Sequence, residues 1–351
     1  MLNHSNNSLQ QGANSASFER PSFWYVPLAL LVCLVPFHFI SSLLFHTLVE
    51  LFAIGIAMMS FVVAWNTHAL SRNQFTLYLG IGYFWVGVID LFHTLTFENL
   101  LNIPGLASGM TIQFWILARF LEAFVLLSAA FMMQHIGRAS AMFLFVGLVA
   151  VALLAAVFVG LVPTMFIAGV GLTAAKLNSE YMIIAILVLA ALAFQFKREE
   201  IDTKTRRMLF LSIGFTVLAE LSFTVYFDLD ELPILFGHIF KLLSFWVIYC
   251  LLVESALLKP IYSLYNVIES YDSASDETVI IDQQGAIQRA NTTIKRRMSE
   301  TTGERLEGKH CHAVLHDSSI DPDECPICLS IDNYLTLQGY EFFRPSDQQW
   351  Y

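Results

Sequence analysis

Long apolar runs separated by short polar segments dominate the first three quarters of the chain. A helix that spans a bilayer needs about 20 mostly apolar residues, and eight runs approach or reach that length. They cover residues 23–43, 46–66, 75–96, 112–134, 140–162, 180–196, 207–227 and 233–257. The pattern predicts an all-α polytopic membrane bundle of about eight transmembrane helices over residues 23–257. Residues 1–22 are polar and are expected to form a disordered leader.

Beyond the last run, the apolar positions change their spacing. From Leu257 to Ile268 they recur every three, four or seven residues, which is typical of an amphipathic helix. We predict a helical connector over residues 258–274. It is either a simple linker or a short dimer coiled coil.

The last segment has the pattern of a small folded domain. Thr278–Ile281 is a β-branched run, Gly285 marks a turn, and Ala286–Ile287 begins a second run. This order predicts a β-hairpin, and Asn291 is well placed to cap a following helix. The expected product is a small cytoplasmic α+β domain over residues 275–351.

Composition supports a membrane protein. The chain is 56% hydrophobic and 14% charged, whereas soluble domains carry about 25% charged residues. The net charge is −10, and no basic face suggests nucleic-acid binding. The five cysteines do not suggest a secreted disulfide framework.

The distribution of Lys and Arg predicts the orientation. Arg72, Arg138, the basic residues between Lys197 and Arg207, and Lys259 all lie in alternate loops. The excess of basic residues marks cytoplasmic loops, so we expect both termini in the cytoplasm. The alternative is seven spans with a re-entrant first hairpin and an outer N-terminus.

Ionisable residues and histidines interrupt the apolar runs, although charge near the centre of a membrane helix costs roughly 2.5–3.5 kcal/mol per residue. With the predicted orientation they lie at one depth, in the extracytoplasmic half. They are His46, Glu50, Asp90, His93, Arg119, Glu122, Glu220, His238 and Lys241. We interpret this polar layer as a ligand-binding pocket.

The charges within the polar layer do not balance. Four carboxylates face two obligate cations, so at least two carboxylates need a proton, a protonated histidine, a metal ion or a cationic ligand. Candidate occupants are a divalent metal held by His46, His93 and a carboxylate, a haem between two histidines, or a small polar or quinone-like molecule. The sequence does not choose among them.

The competing interpretation is a purely structural network that ties helices together. In that case Arg119 would pair with Glu122 or Glu50, and Lys241 would pair with Glu220. Intramembrane ionisable residues are functional sites by default, which favours the pocket.

The tail contains a second candidate site. Cys311, His316, Cys325 and Cys328 have a spacing compatible with a zinc or iron–sulfur site. The alternative is ordinary packing of unliganded thiols.

The tail resembles the PAS sensor domain. The resemblance rests on Asp276–Gly285, Ala290–Asn291 and Leu306–Lys309 and covers residues 272–351. It implies two strands followed by an Asn-started helix. The tail is shorter than a usual domain of about 100–150 residues. We therefore expect a partial PAS domain and a chain that is a fragment of a longer protein.

The membrane part resembles the membrane-associated sensor (MASE) domains, most closely the type-three family. The carrying residues are Phe45–Thr47, Gly80–Leu95 and Ala118–Glu122, and the resemblance covers about residues 25–258. It implies a sensory input module in a bacterial inner membrane, joined through PAS domains to a histidine kinase or diguanylate cyclase. We expect a homodimer formed through the connector and the PAS domain.

The same sequence features are compatible with two other classes of membrane protein. The 351 residues contain no kinase, ATP-binding or GGDEF-like motif, so we do not expect the chain itself to be an enzyme. A transporter or channel could use the same charged layer. A membrane enzyme could use Glu50 with His46, or Asp90 with His93, as an acid–base pair.

Overall fold

The computed structural model describes residues 21–97, 108–132, 137–167, 170–225, 232–301, 305–315, 343–344 and 349–350. The chain divides into two compact units, residues 1–260 and residues 261–351. The predicted disordered leader lies outside the described residues, apart from its last two positions.

The first unit is built almost entirely from helices. They are α1 (Pro21–His38), α2 (Ser42–Ser71), α3 (Gln74–Thr96), a 3₁₀ turn (Ser108–Met110), α4 (Thr111–Ala129), α5 (Ala139–Phe158), α6 (Ala174–Phe196), α7 (Thr203–Phe223) and α8 (Leu232–Leu252). Between α5 and α6, β1 (Phe166–Ile167) and β2 (Gly171–Leu172) form a short antiparallel pair.

Side-chain caps fix where several of these helices begin. Ser41 accepts a hydrogen bond from the backbone N–H of Leu44 at the start of α2. Asn73 does the same for Thr76 in α3, and Asp202 caps α7. Each cap satisfies a backbone donor that has no partner within the helix.

Six helical stretches are long and apolar enough to cross a membrane: Ser42–Ser71, Gln74–Thr96, Thr111–Ala129, Ala139–Phe158, Ala174–Phe196 and Leu232–Ser273. This confirms a mostly helical, multi-span membrane part. The first and seventh predicted spans also form helices, α1 and α7. However, α1 is short, with 18 residues and two internal prolines, and α7 carries several charged residues. The count of eight spans therefore stays a prediction.

The interior of the bundle is made by α2, α3, α4, α7 and α8, with α2 against both α3 and α8, α3 against α4, and α7 against α8. Close approach of α2 and α3 requires glycine, since a Cβ on Gly80 would lie 2.4 Å from Ala64 Cβ. Helices α5 and α6 are more exposed along their lengths, as expected for helices that face lipid.

Helical residues continue past the end of α8. A π-helix (Val253–Leu258) follows it and leads into α9 (Lys259–Ser273). Two ion pairs hold this junction to the start of α7. Lys204 Nζ lies 2.5 Å from Glu254 Oε1, and Lys259 Nζ lies 2.5 Å from Asp202 Oδ2.

The second unit begins as the sequence predicted. Strands β3 (Val279–Ile281) and β4 (Ile287–Ala290) form an antiparallel hairpin, and α10 (Thr292–Thr301) follows. Asn291 Oδ1 accepts hydrogen bonds from the N–H groups of Ile294 and Thr278. Both the hairpin and the cap are confirmed.

The remaining described elements of this unit are α11 (Cys311–Leu315) and a pairing of β5 (Phe343–Arg344) with β6 (Gln349–Trp350). Of the tail metal candidates, Cys311 is buried. His316, Cys325 and Cys328 lie outside the described residues. The proposed tail metal site, like the PAS assignment, stays a prediction.

Candidate functional site: a buried ionic chain

The predicted polar layer lies inside the bundle, at the end where α2, α4 and α8 begin and α3 and α7 finish. Each of its nine residues is at most 5% exposed. These nine residues are His46, Glu50, Asp90, His93, Arg119, Glu122, Glu220, His238 and Lys241. Groups buried this deeply must find their partners within the protein.

Five of these residues form a row of alternating charges, which we call the ionic chain. Arg119 on α4 contacts Glu122, one turn further along the same helix, and its Nη2 lies 2.7 Å from Asp90 Oδ2 on α3. Lys241 on α8 continues the row, with Nζ 3.1 Å from Asp90 Oδ2 and 2.6 Å from Glu50 Oε2 on α2. The ionic chain therefore connects four helices.

Aromatic rings surround the two cations of the ionic chain. Trp115 lies between them, with its ring centroid 4.8 Å from Arg119 Cζ and 4.6 Å from Lys241 Nζ. Phe245 packs beside both. The negative faces of the rings favour cations, so this apolar packing helps to offset the cost of removing the charges from water.

The two ends of the ionic chain differ. At one end, the Tyr83 hydroxyl donates a hydrogen bond to Glu122 Oε1 over 3.0 Å. At the other end, Glu50 Oε1 has no hydrogen-bond partner in the described part of the protein. His238 Nε2 lies 3.5 Å from this oxygen.

Hydrogen bonding determines which proton His238 carries. Its Nδ1 lies 2.8 Å from the carbonyl oxygen of Ile234. A carbonyl only accepts, so Nδ1 carries the proton. A neutral imidazole then has its lone pair on Nε2, the atom that lies 3.5 Å from Glu50 Oε1. Two electron-rich atoms therefore face each other unless a proton or another cation lies between them.

A second histidine pair adjoins this end. His93 Nδ1 lies 3.0 Å from the carbonyl oxygen of Thr111 and must donate to it. His93 Nε2 is 3.2 Å from His46 Nε2, so in the neutral pair His46 donates and His93 accepts. His46 Nδ1 lacks a hydrogen-bond partner among the described residues.

The formal charge of the ionic chain follows from the groups that form it. It contains three carboxylates and two cations, so with every group ionised one negative charge is in excess. The Glu122 end is capped by a hydroxyl donor, and the excess falls on the Glu50 end. Glu50, His46 and His238 offer ligand atoms within 4.8 Å of one another.

The structure corrects part of the expected pairing. Arg119 contacts Glu122, as one alternative proposed, but its second partner is Asp90 and not Glu50. The predicted pair of Lys241 with Glu220 was wrong, because Lys241 turns towards α2 and α3.

The histidine geometry also bears on the suggested occupants. A haem between His46 and His93 does not fit, because the direct contact of the two Nε2 atoms leaves no space for a macrocycle. The metal set predicted from sequence contained His93. In the structure, the ligand atoms that lie close together belong to His46, Glu50 and His238, so His238 takes the place of His93.

Sequence reasoning missed a second buried ion pair. Lys176 Nζ lies 2.6 Å from Glu180 Oε1 on α6 and also donates to the carbonyl oxygen of Phe223. Both side chains are at most 1% exposed. Their spacing of four residues was the available signal, but the predicted span began at residue 180 and left Lys176 in a loop.

Glu220 stands apart from the ionic chain. It is fully buried, and neither carboxyl oxygen has a hydrogen-bond partner in the described ranges. Its electrostatic neighbours are Glu180, Arg119, Glu122 and Lys176. A buried carboxyl group without a hydrogen-bond partner is unfavourable, and Glu220 therefore differs from the paired carboxylates of the ionic chain.

Fold and site together define a helical membrane protein with an ionic network buried at one end of its bundle. Residues 37–260 match the model of the MASE3 family, described as a membrane-associated sensor domain. The match covers more than half of the chain, and the chain belongs to this family. The resemblance to the type-three family is thereby confirmed. Among curated proteins and solved structures, nothing matches the chain.

Proposed function

We propose that the chain is the sensory input module of a bacterial inner-membrane signalling protein of the histidine kinase or diguanylate cyclase type. Both termini lie in the cytoplasm, and the Glu50 end of the ionic chain faces the extracytoplasmic side. This end detects a small ligand or a metal ion. Membership of a membrane-sensor family supports the sensory role, and the basic loops support the orientation.

The observation that carries the proposal is the position of α8. Lys241 and His238 both lie on this helix and face Glu50 on α2. Helical residues then continue from α8 through the π-helix to Ser273. A ligand that binds one arrangement of α2 and α8 more tightly shifts the population towards it, and the displaced helix carries the change towards the tail.

The connector supports an output through dimerisation. Helix α9 has no buried residue, and its apolar side chains Ile261, Leu264 and Val267 are all exposed. An exposed apolar stripe on a helix is suited to pairing with a second copy. We include a homodimer through the connector and the PAS-like tail in the proposal.

Polar groups elsewhere in the bundle favour a sensor over a transporter. Deeper along α7 and α8, Ser212, Thr216 and Ser244 hydrogen-bond to one another. These hydroxyls satisfy each other and link the two helices. A transport path needs polar groups that remain available to a substrate on both sides of the membrane.

The test joins the whole chain to the catalytic domain of a diguanylate cyclase and measures cyclic di-GMP in bacteria that lack other cyclases. The variants are Glu50→Gln and Lys241→Met. Because coupling between sites typically corresponds to 5–150-fold, we expect each variant to change the output by about fivefold or more. The control is Leu51→Ala, adjacent in sequence but 48% exposed, which should leave the output unchanged. Variants that reach the membrane at the normal level without altering the output would refute the proposal.

A further inference from the structure

We propose that His46, Glu50 and His238 form a binding site for a transition-metal dication of the zinc type. The metal-binding claim stands on geometry alone. The claim that this metal is the sensed species rests on the function proposed above.

The distances fit a small tetrahedral ion. Zinc binds nitrogen and oxygen ligands at about 2.0–2.1 Å, which places neighbouring tetrahedral ligands about 3.3 Å apart. His238 Nε2 and Glu50 Oε1 are 3.5 Å apart. One ligand atom from each of the three residues lies within 4.8 Å of the others, so small side-chain rotations are enough to enclose an ion.

The donor atoms are already in the required chemical state. Because the Ile234 carbonyl holds the proton of His238 on Nδ1, the Nε2 lone pair is free to bind a metal. Glu50 Oε2 is engaged by Lys241, which leaves Oε1 as a single ligand oxygen. A hydrogen bond on the second nitrogen of a ligating imidazole is the usual arrangement at metal sites.

His46 is held in place by its neighbours. Its ring stacks on Phe97, with centroids 3.5 Å apart and planes inclined by 12°. His93 contacts it from the side and is itself fixed by the carbonyl oxygen of Thr111. We assign His93 a positioning role for His46.

The ligand set selects the class of metal. Two imidazoles and one carboxylate suit zinc and its neighbours in the first transition series, whereas calcium and magnesium prefer sites made entirely of oxygen. A dication also offsets the single excess negative charge of the ionic chain, and an anion such as hydroxide at the remaining coordination position would balance the positive charge that is left over. Three protein ligands leave a fourth position for water or a small molecule.

The site links the two helices that the proposed mechanism needs. His46 and Glu50 belong to α2, and His238 belongs to α8. A metal on Oε1 withdraws electron density from Glu50 and weakens its contact with Lys241. Lys241 keeps its second partner, Asp90. Binding therefore alters the α2–α8 contact without leaving a buried cation unpaired.

The experiment measures binding of Zn²⁺ and Co²⁺ to the whole chain in detergent, by titration calorimetry and by the visible spectrum of bound Co²⁺. Cys325 and Cys328 are changed to serine so that the tail does not contribute. We expect one ion per chain, with Mg²⁺ and Ca²⁺ failing to compete. The Co²⁺ spectrum should indicate four-coordination by nitrogen and oxygen.

Variants locate the site. Glu50→Gln and His238→Gln remove a ligand and should weaken binding by more than the roughly 10–100-fold typical of losing an outer-sphere partner. His93→Ala should weaken it within that range. The control is His68→Ala, which removes a histidine from the opposite end of α2 and should leave the affinity unchanged.

Folding and function are separated by two further measurements. Each variant must elute as a single species. Zn²⁺ must raise the unfolding temperature of the protein with the unsubstituted site but not that of His238→Gln. The metal site would be overturned if well-folded protein failed to bind either ion, or if His238→Gln and Glu50→Gln bound the ion as tightly as the protein with the unsubstituted site. If the cyclic di-GMP output of the cyclase chimera changed with Glu50→Gln but not with Zn²⁺, the sensory role of the chain would stand, and the metal would not be the signal that it detects.

Discussion

Removal of the Lys241 ammonium group is the sharpest test of the ionic chain. Lys241 is 2% exposed and lies within 3.1 Å of both Asp90 and Glu50. Lys241→Met preserves the approximate length of the side chain and deletes its charge. The two carboxylates then differ, because Asp90 keeps Arg119 at 2.7 Å while Glu50 loses its contacting Lys.

The expected loss follows from this asymmetry. Breaking a buried pair by removing one partner typically destabilises a protein by about 3–5 kcal/mol, since it leaves an uncompensated charge. Lys241→Met should fall in that range. The loss should come mainly from Glu50, because the polar side chains that then remain close to it are those of His46 and His238, and neither is a permanent cation.

A set of double variants identifies the responsible carboxylate. Glu50→Gln removes the stranded charge, so we expect a favourable coupling with Lys241→Met of about 2–3 kcal/mol. Asp90→Asn should not rescue Lys241→Met, because it also deprives Arg119 of a partner. Glu220→Gln should show no coupling, since Glu220 does not contact Lys241.

The assay is reversible unfolding in mixed micelles, with helix content followed as the fraction of denaturing detergent rises. The free energies of the single and double variants give the couplings directly. A loss below about 1 kcal/mol for Lys241→Met would contradict a buried ion pair of this kind. Rescue by Glu220→Gln instead of Glu50→Gln would show that the pairing is wrong.

Three further predictions concern other parts of the chain. Gly80→Ala should destabilise the bundle by about 1–3 kcal/mol in the same unfolding assay, because its Cβ would meet Ala64 at 2.4 Å; Gly55→Ala, with nothing within 4 Å, should not. Although burial opposes its ionisation, hydrogen bonds led by that from Lys259 hold the pKa of Asp202 below its ordinary value. The stabilisation that Asp202 provides is therefore complete above its unfolded-state pKa and is lost as pH falls through its folded-state pKa. Hydrogen exchange at the start of α7 should then increase in the wild type but not in Asp202→Asn. Asn291→Ala should destabilise the second unit by about 1–2 kcal/mol, measured by hydrogen exchange of the β3–β4 hairpin, and unchanged exchange in this variant would count against the capping role.

The depth of the polar layer could be predicted from sequence. Each residue advances a helix by 1.5 Å, so counting from the ends of the apolar runs converts position into height in the membrane. Glu50, Arg119 and Lys241 came out at similar heights, and the structure joins them in one ionic chain, with Asp90 between Arg119 and Lys241. The height of a residue is local information, because it follows from the helical rise and from the ends of the apolar run in which the residue lies.

The partners within the layer could not be predicted in the same way. Which side chains meet depends on the rotation of each helix and on its neighbours, and both are set by packing across the whole bundle. The competing, purely structural interpretation of the layer paired Lys241 with Glu220 on the adjacent α7. Lys241 faces α2 and α3 instead. The rings of Trp115 on α4 and Phe245 on α8 also lie beside its ammonium group.

The pair of Lys176 and Glu180 shows a different limit. Hydropathy penalises each charge separately, so the predicted span began only at residue 180. In the structure α6 begins at Ala174, because Thr173 caps it by accepting a hydrogen bond from the N–H of Lys176. The two charges then neutralise each other one turn apart, and the helix keeps both buried.

The two ends of the ionic chain explain why a response would begin at Glu50. The Glu122 end is closed by Tyr83, which provides a donor between α3 and α4, and a cation has no free oxygen to bind there. At the Glu50 end, an unpartnered oxygen faces a histidine lone pair across the α2–α8 contact. A cation that enters this gap therefore acts on α8, whose helical residues lead into the π-helix. A π-helix is a rare and less stable arrangement than an α-helix, and here Glu254 within it is paired with Lys204 on α7. In the proposed mechanism, a displacement of α8 therefore reaches the π-helix, a segment whose hydrogen-bond register already differs from that of α8.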